Sequence, residues 1–163
     1  MNILINFLVF MACFSGMEAV AWLAHKYLMH GWLWNLHADH HYKGEDHFFE
    51  KNDYFFLIFA TPGISLIIIG SWVGMDQPYF WAGAGIAVYG FCYFLIHDVF
   101  IHQRFPWLRN SNSLYFRAIR KAHKMHHKKL TREDGECFGM LWVPWKYFRE
   151  ARRSAEVSKQ ADA

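Results

Sequence analysis

The sequence predicts an all-α protein: a polytopic membrane bundle of three to four membrane helices carrying a cytoplasm-facing, histidine-rich di-metal site. Three observations predict it. Three apolar runs are each long enough to cross a bilayer. All seventeen Lys and Arg residues fall in two segments that the runs place on one side. The eleven histidines avoid the other side, and ten of them form a duplicated pattern.

The first run, residues 3 to 24, reads ILINFLVFMACFSGMEAVAWLA, with Glu18 its single charge. The second, residues 54 to 75, and the third, residues 79 to 97, contain no Lys, Arg, Asp or Glu. About 20 apolar residues at ~1.5 Å rise cross a ~30 Å hydrocarbon layer. The first run lacks the basic flank of a signal peptide, so a retained helix is expected. Pro62 and Gly63 predict a kink in the second crossing. Gly83, Gly85 and Gly90 in the third predict close helix approach. Trp72, Tyr79 and Trp81 flank the short MDQP turn as an interfacial aromatic belt does. Residues 137 to 148, CFGMLWVPWKYF, are too short to span. They read as an interfacial or re-entrant segment over the metal site, anchored by Trp142 and Trp145. One domain is expected over residues 1–150, followed by a frayed polar tail over 151–163.

Charge sets the orientation. Three basic residues lie between 26 and 51, and the other fourteen between 104 and 159. Cytoplasmic segments carry the positive excess. An outside N-terminus, an outside MDQP turn and a cytoplasmic C-terminus follow, in a bacterial inner membrane crossed several times. The three cysteines, at 13, 92 and 137, have no CxxC spacing and read as small buried apolar residues.

The histidines carry the chemistry. His25 and His30 are followed by His37, His40 and His41. His97 and His102 are followed by His123, His126 and His127. Each half therefore reads His-x4-His, then His-x2-His-His. On a helix, offsets of three and four fall within about 60° of one another. Each triplet thus projects from one face. Around the second, Ser111, Asn112 or Ser113 supplies a cap, and Tyr115, Ile119 and Ala122 share the histidine face. Arg117, Arg120, Lys121, Lys124 and Lys128 take the opposite one. The x4 pairs fall about 140° apart on a regular helix. They either serve different metals or sit where a helix unwinds, and Gly31 favours a helix end after His30. A lone histidine is usually a satisfied core residue; ten in a duplicated pattern at one depth require a shared ligand, and neutral imidazole is the commonest metal ligand. Two ions with five imidazoles each leave an open octahedral position, which suits iron better than zinc.

These stretches resemble a known family. GMEAVAWLAHKYLMHG (16–31), HADHH (37–41) with FEKND (49–53), GAGIAVYGFCYFLIHDVFIHQRFPW (83–107) and AHKMHH (122–127) are similar to the histidine-box membrane hydroxylases and desaturases of the fatty acid hydroxylase-like superfamily. Within it, the resemblance is to the bacterial beta-carotene 3-hydroxylases, over roughly residues 15 to 145. CFGMLWVPW departs from that pattern, being shorter and lacking its Pro-Pro. The resemblance implies a di-iron monooxygenase whose metal ligands are the ten histidines just named. It implies hydroxylation at carbon 3 and 3′ of beta-ionone rings, from beta-carotene through beta-cryptoxanthin to zeaxanthin. Dioxygen and two electrons from a ferredoxin-type donor are consumed at each hydroxylation. The expected partners are the bilayer, the carotenoid and the electron carrier, with no nucleic acid.

Other residues have two readings. His47 is a surface histidine or a support for a ligand. Glu18 is a functional group in the membrane or a polar contact between helices. Asp98 and Asp39 are candidates to orient imidazoles, and Asn52 and Asp53 to cap the second crossing. A substrate slot is expected along Trp22, Gly83 and Tyr89. The rival functions are hydroxylation of a fatty acyl chain or sterol, carotenoid ketolation and, more remotely, metal transport. A transporter places polar ligands near the midplane, where this chain has almost none.

Overall fold

The computed structural model describes residues 2–42, 48–133 and 135–161, so His47 lies outside the described residues. Among them every regular element is helical. Helix α1 spans Ile3–Leu23 and continues without a break into a π-helical segment, Ala24–Trp32. Helix α2 spans Trp34–His41 and α3 spans Asp53–Val73. Helix α4, Pro78–Phe94, continues into a second π-helical segment, Leu95–Ile101. Helices α5, Leu114–His127, and α6, Trp145–Ala161, complete the fold.

Three of these helices are long and apolar enough to cross a membrane: Ile3–Trp32, Asp53–Val73 and Pro78–Ile101. Their outward side chains are apolar, including Ile3, Leu4 and Phe7 on α1 and Phe56, Leu57 and Ile64 on α3. Such surface is stable only against hydrocarbon. Helix α3 runs unbroken through Pro62. The proline expected to kink the crossing therefore does not interrupt it, as membrane helices commonly tolerate.

Small residues bring the crossings together, because lipid supplies no hydrophobic drive for helix association. A Cβ on Gly83 would lie 2.7 Å from the Gly63 carbonyl oxygen and from the Ile67 amide. One on Gly85 would lie 2.5 Å from the Phe10 carbonyl oxygen of α1. One on Gly70 would collide with the Phe80 backbone, whereas Gly90 faces open space. Two of the three expected approach glycines thus serve that purpose. At α1's far end Asn6 is buried and donates to the Asp76 carbonyl at 2.8 Å, fastening α1 to the α3–α4 turn. Gly70→Ala is expected to destabilise the protein by about 1–3 kcal/mol, since backbone must move. Gly90→Ala is expected to be silent. Thermal unfolding of both variants in detergent checks the contrast, and equal midpoints would contradict it.

Beyond the crossings, α5 packs between α6 and the second π segment. Ile96, Phe100, Ala118, Ile119, Ala122, Met140, Val143, Tyr147 and Ala151 form this core. Ser113 caps α5, accepting from the Phe116 amide at 3.3 Å. Arg120 does not face water: its guanidinium lies over the Phe100 ring, 4.3 Å from the centroid. Lys121 pairs with Glu150 of α6 at 2.7 Å. Helix α6 carries on through the polar stretch to Ala161, where composition alone suggested fraying.

Candidate metal centre

The ten patterned histidines come together at the ends of the first and third crossings, with α2 and α5 closing over them. The two x4 pairs meet because each lies on a π segment. Bonding from i to i+5 brings residues five apart onto one face, and such segments favour functional sites. The His25 and His30 rings are 5.3 Å apart and the His97 and His102 rings 4.5 Å apart. The wide separation expected on a regular helix does not occur.

Two groups result. His25, His30, His37, His41 and His126 form one; His40, His97, His102 and His123 form the other. Within each group the ligating nitrogens all lie within 4.8 Å of one another. The groups are not the two sequence halves. His126 of the second half joins the first group, and His40 of the first half joins the second. His127 lies between them, stacked on His41 at 4.6 Å and within 4.7 Å of His40 and 4.5 Å of His123.

The hydrogen bonds set the tautomers. Nδ1 of His25 donates to the Phe138 carbonyl at 3.0 Å, that of His30 to the Arg132 carbonyl at 3.3 Å and that of His126 to the Glu136 carbonyl at 2.9 Å. Nδ1 of His37 donates to Asn52 Oδ1 at 2.6 Å, that of His40 to Glu50 Oε2 at 2.7 Å and that of His97 to Asp98 Oδ2 at 3.1 Å. With the protons outward, the Nε2 lone pairs point inward. They face one another at 3.1 Å (His25–His37), 3.3 Å (His30–His126) and 3.0 Å (His40–His97). Lone pairs this close need a cation among them. Nitrogens at right angles about an ion, each at ~2.1 Å, lie about 3 Å apart. The donor set fits a metal.

Burial keeps the rings neutral and able to ligate. It holds His40, His102 and His123 well below the usual imidazole range, reinforced by neighbouring imidazoles. It takes His41 down to about 4, His126 to about 3 and His37 and His127 to about 2.

The supporting residues differ in part from those expected. Asp98 does orient an imidazole. Asp39 does not: it accepts from the Lys51 amide at 2.7 Å. Asn52 makes no side-chain cap on α3, its carbonyl oxygen being taken by His37. Glu50, which sequence reasoning passed over, supports His40; only its place in FEKND pointed to it. Arg104 gathers the acids, reaching Asp53 at 2.8 Å, Glu50 at 3.0 Å and Asp98 at 3.3 Å.

Residues 135–143 form an irregular strap over the first group. Phe138 packs edge-on against His25, His30 and His126. Trp142 and Trp145, the expected anchors, are exposed. Glu18 holds the strap, its carboxylate accepting from the amides of Met140 at 2.9 Å, Leu141 at 3.0 Å and Trp142 at 2.9 Å. The Tyr89 hydroxyl donates to it as well, at 2.7 Å. Tyr89 is thus a buried tether and Gly83 a packing contact, so neither lines the expected slot, while Trp22 stays exposed. Between α5 and the strap there remains only a crevice of about 10 Å³, with room for about one water, whose lining includes Ile119, Ala122, His123 and Met140.

Membrane-length helices, two of which end at two groups of buried imidazoles able to hold metal, define the class of protein, and the chain belongs to the fatty acid hydroxylase family, whose model matches residues 10–149. That membership makes it a hydroxylating oxidoreductase. It is 43% identical over 141 residues to the beta-carotene hydroxylase of Pantoea ananas, covering 85% of this chain and 78% of that protein. It is 36% identical over 140 residues to the beta-carotene hydroxylase of Paracoccus sp. (strain N81106 / MBIC 01143), covering 85% of each. With the chloroplastic beta-carotene 3-hydroxylase 1 of Arabidopsis thaliana it shares 36% identity over 147 residues, 89% of this chain and 46% of that protein. No solved structure matches it.

Proposed function

We propose that this chain is a beta-carotene 3-hydroxylase using two iron ions held by His25, His30, His37, His40, His41, His97, His102, His123, His126 and His127. The observation that carries the reading is the paired set of buried, inward-facing Nε2 atoms at the ends of membrane-length helices. It occurs in a chain 43% identical to a beta-carotene hydroxylase. Each turnover replaces C–H by C–OH, consuming one dioxygen, two electrons and two protons and releasing one water. Bound iron supplies the oxidising power for an unactivated C–H bond, which side chains lack.

The protein's part is placement and exclusion. The outward Nδ1 hydrogen bonds fix six of the ten rings, and Phe138 shields the first group from water. We assign the ionone ring to the histidine groups, with the long polyene left among the crossings. A carotenoid is about as long as the ~30 Å hydrocarbon layer is thick.

Expression in a beta-carotene-accumulating bacterium tests the reading. Beta-cryptoxanthin and then zeaxanthin are expected by chromatography. Unchanged carotene alongside a hydroxylated fatty acid would refute the substrate; a ketone at carbon 4 would replace hydroxylation with ketolation.

The same reading places the histidines on the cytoplasmic side of a bacterial inner membrane. The exposed Lys124, Lys128 and Lys129 then face an acidic electron carrier of the ferredoxin type. A periplasm-active reporter fused after residue 150 is expected to stay dark, and activity from it would reverse the orientation.

A further inference from the structure

The two histidine groups are supported in chemically different ways. In the first, His25, His30 and His126 donate to backbone carbonyls at 138, 132 and 136. Those carbonyls lie on or beside the strap. A strap of irregular backbone has no ladder of its own to hold it. Beside the core packing of Met140 and Val143 and the Tyr115 hydroxyl on the Leu141 carbonyl, Glu18 fixes its backbone, taking three consecutive strap amides and the Tyr89 hydroxyl. An ionisable group within a membrane span needs such partners. Four donors converging on one carboxylate supply them. In the second group, His40 and His97 donate to the carboxylates of Glu50 and Asp98, which Arg104 draws together. Neither Glu18 nor the strap carbonyls take part there.

Resting on the di-iron reading above, we propose that the two metal sites have separate supports. Glu18 is the positioning residue of the five-histidine site, through the strap, and Glu50 that of the four-histidine site. Each site then loses affinity independently of the other. Residues that orient ligating imidazoles contribute about 10–100-fold to metal affinity. The two sites also differ in kind: carboxylate acceptors make an imidazole a stronger donor than neutral carbonyls do. The four-histidine site is therefore expected to bind ferrous ion first.

The test is anaerobic titration of metal-depleted, detergent-solubilised protein with ferrous ion. Wild type is expected to bind in two steps. His41→Ala is expected to abolish the weaker step and His102→Ala the tighter one, which assigns them. Glu18→Ala is expected to weaken the His41-dependent step by about 10–100-fold and leave the other unchanged. Glu18→Gln, which keeps one acceptor oxygen, is expected to fall between. Glu50→Ala is expected to do the mirror image. If Glu18→Ala is not recovered folded, Tyr89→Phe removes a single donor from the same carboxylate. It is expected to weaken the same step alone, by a few fold. Two steps that shift together in any of these variants, or that do not shift at all, overturn the proposal and leave the di-iron reading standing. A single step of two ions per chain in wild type also overturns the proposal alone, whereas saturation at one ion per chain overturns both.

Discussion

His126→Ala is expected to lower carotenoid hydroxylation by more than about 100-fold, beyond the 10–100-fold cost of losing a residue that merely supports a ligand. His126 is fully buried on α5. Its Nε2 faces His30 at 3.3 Å, and its ring lies 4.4 Å from His25 and 4.7 Å from His41. Alanine removes one nitrogen of the first group and releases the Glu136 carbonyl. Water then has a route beneath Phe138. Metal content is expected to fall towards one ion per chain. His47→Ala is the control, since the duplicated pattern does not include it, and it is expected to retain most activity. Pigment chromatography and metal analysis read both variants; near-normal zeaxanthin from His126→Ala would sink the ligand assignment.

Arg104→Met is expected to cost about 2–4 kcal/mol of stability. Removing one partner of a fully buried ion pair costs about 3–5 kcal/mol. These groups are partly exposed, from 15% for Arg104 to 29% for Asp53, and solvent reduces the effect. The loss is larger than for an ordinary surface pair because three carboxylates, Glu50, Asp53 and Asp98, would remain together without their cation. Met keeps the length of the stem, which separates charge from packing. Thermal unfolding in detergent is the measurement, with Lys at the same position expected to restore part of the loss. A midpoint within a degree of wild type would show that the acids do not depend on Arg104.

Much of this architecture was legible in the residues. The three crossings follow from length and hydropathy, because hydrocarbon accepts only helices whose backbone bonds are internal. Both histidine triplets face one way because a regular helix brings offsets of three and four together. The reading of α5 held for the same reason: Ile119 and Ala122 are buried with His123 and His126. Asp98 was legible as a neighbour of His97 in sequence.

Tertiary structure decided the rest. The x4 pairs converge only because two helices loosen into π geometry where they leave the crossings; their spacing left open that a helix unwinds there, but not the form it takes. Which histidine joins which group depends on how α5 docks against α2, so His126 and His40 exchanged halves. Glu18 was visible as a lone charge in an apolar run, yet its strap partners lie more than 120 residues further along the chain. Asn52 looked like a helix-start residue until His37 claimed it, and nothing but the tertiary contact marked Glu50 as the partner of His40. Sequence by itself determined the membrane helices, the histidine faces and the chemistry they invite, because those depend on residue type and local spacing. The pairing of the histidines, the latch at Glu18 and the acids around Arg104 depend on long-range packing, in which the burial of each group selects its partner.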